Sequence, residues 1–166
     1  MILKIDNEKL NPSDLEIVMS GPIDEETTYP NVSPRLSQRI VIDCEGISYI
    51  NSYGIQKWSL WMRAFDERVQ FVFRRVPRRL VELFNSIKDF LPKGAVVESF
   101  YVPFECDNCE HEEPYWAQRG RDYVEAYQNH KMRIVLPDEI NCPKCKGILK
   151  VGVWESRYFR FLEDLV

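Results

Sequence analysis

Arg39-Ile40-Val41-Ile42-Asp43-Cys44-Glu45-Gly46-Ile47-Ser48-Tyr49-Ile50-Asn51-Ser52-Tyr53-Gly54-Ile55 is the stretch whose reading decides the fold. Residues Arg39 to Cys44 read as a strand. Their near-continuous apolar character predicts burial on both faces, as in a sheet covered by helices. Cys44, inside that run, reads as a small core residue. After Gly54 the period changes. Ile55, Trp58, Met62 and Phe65 recur at helical spacing and define one face of a helix. Asn51 or Ser52 is suited to cap its N-terminus, because a short polar side chain there satisfies a free backbone N–H.

The same alternation extends to either side. Upstream, Leu15 to Met19 reads as a strand stopped by Ser20-Gly21-Pro22, and a polar stretch with Pro30 and Pro34 reads as loop. Downstream, Val69 to Phe73 is a strand. Pro77 stands near the start of a helix, where its missing N–H costs little. That helix carries Leu80, Leu83, Phe84, Ile87 and Leu91 on its apolar side. Ala95 to Phe104 is a further strand. Strand, helix, strand, helix, strand is an α/β order.

From about Phe104 the character changes to cysteine pairs, prolines and clustered charges, which predicts a boundary near Pro103 between residues 1–103 and 104–166. Of five cysteines, four form two C-x-x-C units, Cys106 with Cys109 and Cys142 with Cys145. Two intervening residues let a tight turn aim both sulfurs at one point, and two such turns supply a tetrahedral S₄ set for a structural Zn²⁺. The same set accommodates iron in a rubredoxin-like site, and redox-active disulfides are the remaining reading. Four protein ligands leave no open position for catalysis. His111 and His130 flank the region and read as surface residues. The 32 residues from Glu110 to Asn141 must carry structure of their own. Trp116, Tyr123 and Tyr127 are placed to form one face of a short inserted helix. Met132 to Leu136 and Ile148 to Trp154 read as strands. Residues 104–154 resemble a zinc ribbon, two knuckles on β-hairpins, with Gly147 following the second pair.

The opening stretch resembles the signature of the STAS family, the sulfate-transporter and anti-sigma-factor-antagonist domains. That family has a strand ending in a carboxylate, a short apolar turn, then an Asp-Ser-Ser-Gly-like motif opening a helix. Leu15 to Asp24 is similar to its early strand-Gly-x-x-Asp element, and Val69 to Phe90 to its next strand and helix; the resemblance covers roughly residues 13–100. It implies a small mixed sheet flanked by helices, here followed by a small zinc-ribbon-like β module. It also implies protein–protein regulation rather than catalysis. In antagonist members a serine just before the glycine is phosphorylated, which switches partner binding. Here Asn51 stands at the family's Asp and Tyr53 at the phosphoacceptor position, with Ser52 before it. A serine kinase cannot use tyrosine in the same way, which leaves Ser52 as the alternative acceptor, and helix capping by Asn51 and Ser52 is the preferred reading.

Trp61, off the main apolar line of the first helix, is expected to be exposed and, with Asn51, to anchor a protein partner or a second copy of the chain. Arg74-Arg75-Val76-Pro77-Arg78-Arg79 is the most basic run, and Arg74, Arg75, Arg78 and Arg79 are candidates for an anion or nucleic-acid contact. Against this stand a net charge of −4 and an acidic second half with Glu105, Asp107, Glu110, Glu112, Glu113, Asp138 and Glu139. Met1 to Asp6 lacks a basic stretch leading into a long apolar run, and no apolar segment reaches bilayer length, so a cytoplasmic protein without a membrane partner is expected. There is no nucleophile–histidine pair and no phosphate-binding loop. The sequence thus reads as a non-enzymatic regulatory or scaffold protein with one structural zinc. The alternative is a nucleic-acid-binding zinc-ribbon protein using the arginine run.

Overall fold

The computed structural model describes residues 2–6, 14–30, 32, 39–128 and 130–163; the loop position Pro34 lies outside them. Strand β1 (Ile2–Asp6) pairs antiparallel with β2 (Asp14–Ile23). Then β2, β3 (Arg39–Ile50), β4 (Gln70–Arg74) and β5 (Val96–Val97) run parallel in the order β1-β2-β3-β4-β5. Helix α1 (Ser52–Arg63) joins β3 to β4, and α2 (Arg78–Ser86) joins β4 to β5. The mixed α/β class is therefore as read from the sequence. No helix among the described residues is long and apolar enough to cross a membrane.

Both helices lie on one face of this sheet, because Trp58 of α1 and Phe84 of α2 pack on the same Phe73 of β4, at 6.1 and 5.6 Å between ring centroids. Alternation along β3 and β4 sends Ile40, Ile42, Phe71 and Phe73 to that face. Val41 and Val72 point the other way and are nevertheless buried. On that second face Arg74 reaches Glu16 at 3.5 Å. Apolar residues on both sides of β3 and β4 thus reflect burial on both faces, with α1 and α2 together on one of them.

Several elements differ from the sequence reading. Strand β2 does not stop at Ser20-Gly21-Pro22 but continues to Ile23, and β3 runs on to Ile50, with register irregularities where the two pair. Gly46 sits at that irregularity because a Cβ there would come within 2.6 Å of the Met19 carbonyl oxygen. Ala95 to Phe104 is not one strand. The chain leaves the first sheet at Glu98, whose N–H donates to the Phe73 carbonyl (2.7 Å), and continues as β6 (Ser99–Cys106) in a second sheet.

That second sheet is antiparallel, in the order β10 (Ile140–Asn141), β11 (Ile148–Val151), β6 and β7 (Glu112–Gln118). The inserted helix expected from Trp116, Tyr123 and Tyr127 does not form. Trp116 is instead in β7, where Tyr115 and Ala117 turn inward and Trp116 outward, a period of two. Tyr123 lies in a separate hairpin of β8 (Tyr123–Val124) with β9 (Arg133–Ile134). Pro114 is tolerated because β7 is an edge strand.

The boundary expected near Pro103 falls inside β6, which runs unbroken through it. The end of the chain, α3 (Glu155–Tyr158) and a 3₁₀ turn (Arg160–Leu162), folds back onto α2. There Phe161 packs on Phe84 at 6.0 Å and on Phe100 at 5.2 Å. One contiguous core consequently includes Ile42 and Trp58 as well as Phe104, Leu149 and Phe161.

Candidate metal centre

Each cysteine pair sits on a turn built the same way. In the first, the Cys106 N–H donates to the His111 carbonyl (2.9 Å) and the Glu110 N–H to the Cys106 carbonyl (2.9 Å). In the second, the Cys142 N–H donates to the Gly147 carbonyl (2.7 Å) and the Lys146 N–H to the Cys142 carbonyl (3.0 Å). Both turns close through a left-handed residue at the equivalent place, Glu110 at φ 56° and Lys146 at φ 63°. The C-x-x-C spacing did not reveal these two strained positions. Gly147 leaves room for sulfur: a Cβ there would stand 3.2 Å from Cys145 Sγ and 3.4 Å from Cys106 Sγ.

The two turns face each other because β6, carrying Cys106, pairs with β11, with Leu149 opposite Cys106. All four sulfurs fall within 4.8 Å of one another. Cys106 and Cys145 are 3.5 Å apart, and Cys109 and Cys142 3.6 Å apart. A tetrahedral ion with bonds of about 2.3 Å to sulfur has edges of about 3.8 Å. A disulfide needs about 2.05 Å. The arrangement therefore fits one metal ion and not a pair of disulfides.

Cys106 and Cys142 are buried, Cys109 and Cys145 half-buried. Thiolates held this close repel one another unless a cation lies between them. The Asn108 side chain and the Gly147 N–H draw Cys145 down to about 6. At Cys109 the His111 N–H favours the thiolate, but hydrogen bonds among the sulfurs and desolvation outweigh it and push the thiol up to about 12. A divalent ion removes this conflict by compensating every thiolate at once. The His111 ring pairs with Glu113 at 2.9 Å, His130 is exposed, and neither belongs to the sulfur cluster.

The other sequence candidates separate. Asn51 caps α1 by accepting the Gly54 N–H at 2.9 Å, while its amide nitrogen donates to Glu25 at 2.9 Å. Ser52 and Tyr53 are exposed at the first turn. Gly54 is buried against β2, where even a methyl group would meet the Ile23 carbonyl.

Trp61 is not exposed, contrary to expectation. It is 9% exposed, with Tyr29 stacked on it at 4.4 Å and Phe65 edge-on at 5.5 Å. The Tyr29 loop widens the buried stripe of α1 beyond the Ile55–Phe65 line, which helix periodicity alone does not register. Trp61→Ala is accordingly expected to cost about 3 kcal/mol, read as a lowered midpoint in urea unfolding; unchanged stability would contradict this packing. The exposed large apolar residues on α1 are Tyr53, 65% exposed, and Leu60, 68% exposed.

The arginine run is largely spent within the fold. Arg74 pairs with Glu98 and Glu16, and Arg78 with Glu82 and Glu112. Arg75, at φ 50°, forks onto buried Asp43 and reaches Glu45, which in turn accepts the Tyr101 hydroxyl at 3.1 Å. That network joins β3, β4 and β6. Sequence reasoning saw its arginine but not its partners, because they come from strands distant in the chain. Arg79 alone of the four is exposed. Comparison with protein-family models, with curated proteins and with solved structures finds no match to this chain.

Proposed function

We propose that this is a non-enzymatic regulatory or scaffold protein, with a STAS-like N-terminal part acting through protein–protein contact and a structural zinc held by Cys106, Cys109, Cys142 and Cys145. The observation that carries the metal assignment is the convergence of four sulfurs within 4.8 Å of one another on two matched turns. An all-thiolate set with no place for water suits zinc in a structural role. Iron takes the same ligands, and colour separates the two: zinc thiolate is colourless, ferric thiolate red.

The STAS-like reading draws support from a mixed sheet in which β3 leads through Asn51-Ser52-Tyr53-Gly54 into α1, with the glycine pressed on β2. The contact surface then lies on the outer side of α1 at Tyr53 and Leu60 rather than at Trp61. The nucleic-acid alternative loses ground, since carboxylates already occupy Arg74, Arg75 and Arg78.

Two measurements test this reading. Purified protein is expected to carry about one zinc per chain. Affinity capture from the native host should retain a partner with the wild type that the Tyr53→Ala, Leu60→Ala double variant loses. A metal-free folded protein would sink the first half of the reading, and identical capture by both proteins the second.

A further inference from the structure

We propose that metal occupancy of the four-cysteine centre is thermodynamically coupled to the packing of the N-terminal core, through the C-terminal segment that follows β11. The inference rests on the zinc reading above and concerns what that centre controls.

The path is continuous. The hairpin of β10 and β11 is short and joins β6 through Leu149, Lys150 and Val151. Immediately after it, the Gly152 N–H donates to the Pro103 carbonyl at 2.8 Å. Gly152 lies so close to Glu105 that a Cβ would come within 2.6 Å of that side chain. The chain then enters the N-terminal core. The Tyr158 hydroxyl donates to the Tyr101 carbonyl at 2.6 Å. Asn85 of α2 clasps the segment from both sides of its amide: Nδ2 donates to the Tyr158 carbonyl and Oδ1 accepts the Phe161 N–H, each at 2.8 Å. From Phe161 the ring contacts run to Phe84, from Phe84 to Phe90 at 6.1 Å, and from Phe90 to Trp58 at 5.4 Å.

The metal thus fastens one end of a segment whose other end completes the aromatic core under α1 and α2. Losing it frees a hairpin too short to hold its register alone. The segment then loosens over Phe84 and Asn85 of α2. Coupling of this kind is reciprocal, so loosening the segment must weaken metal binding by the same factor.

The test uses the full-length zinc-loaded protein. Zinc affinity is measured by competition with a chromophoric chelator for the wild type, Phe161→Ala and, as a surface control at an exposed position of α1, Gln56→Ala. Hydrogen exchange over residues 78–86 is followed before and after zinc removal. Phe161→Ala, which touches no sulfur, is expected to weaken zinc about tenfold, with Gln56→Ala unchanged and exchange in α2 accelerated once zinc is gone. Should Phe161→Ala fail to fold, Tyr158→Phe removes only the hydrogen bond to Tyr101 and should weaken zinc to a smaller, still measurable extent. Wild-type zinc affinity in a folded segment variant, or α2 exchange indifferent to zinc, overturns the coupling. A wild type that binds no zinc at all removes the zinc reading itself, and this is seen before any variant is made.

Discussion

Cys142→Ser is expected to abolish stoichiometric zinc and to lower the melting temperature more than any substitution outside the centre. Cys142 is fully buried, and its N–H and carbonyl close the second turn. Removing one thiolate from a four-sulfur set leaves the ion under-coordinated and the remaining sulfurs crowded without their full compensation. Metal binding to such sites amounts to roughly 10 kcal/mol or more in small peptides at neutral pH. That is comparable to the whole stability of a domain, about 5–15 kcal/mol. Acid should produce the same loss in the wild type, because zinc binds thiolates and protons compete for them. The sign follows from the depressed thiol: the stabilisation is present above the ordinary thiol range and disappears as pH falls. Of the two half-buried thiols, Cys145, drawn down to about 6 without an ion, holds its charge to lower pH than Cys109, pushed up to about 12. Metal content and far-UV circular dichroism across a pH titration check both expectations. Zinc retained by the serine variant, or at pH 4, would count against the centre.

The second large effect concerns a position that looks harmless. Gly54→Ala replaces a helical glycine with the best helix former, a change that on an exposed helix gains about 1 kcal/mol. Here the added Cβ would lie 2.1 Å from the Ile23 carbonyl oxygen and 2.6 Å from its carbon. The obstacle is backbone, so no rotamer change relieves it; α1 or β2 must move. Overpacking of this kind costs about 3 kcal/mol, which outweighs the propensity gain and sets the sign. Urea unfolding is expected to show destabilisation of about 2 kcal/mol net. An alanine variant as stable as the wild type would mean that α1 does not dock on β2 as described.

Much of the first sheet was legible in sequence because its signals are local. Apolar runs mark β3 and β4, Asn51 marks a helix start, and spacing marks the buried side of α1. Strand β1 escaped notice, being an edge strand that pairs only with β2. The break at Glu98 escaped because apolar residues continue on both sides of it, and only the handover of hydrogen bonds from Phe73 to the second sheet separates them. Trp116, Tyr123 and Tyr127 show the opposite error. Their helical spacing is real but without consequence, since pairing of β7 with β6 satisfies more backbone groups than an isolated helical turn would.

The four cysteines of the candidate centre were decided by the amino-acid sequence alone, because a C-x-x-C turn carries its geometry within itself wherever the chain places it. So were the strand-and-helix order of the first half and the glycine at the start of α1. Tertiary structure decided that the two turns meet, that Trp61 is buried under Tyr29, that three of the four arginines are neutralised, and that residues 155–162 return to α2. Each of these depends on partners far apart in the chain, brought together by burial of shared apolar surface, which no local pattern encodes.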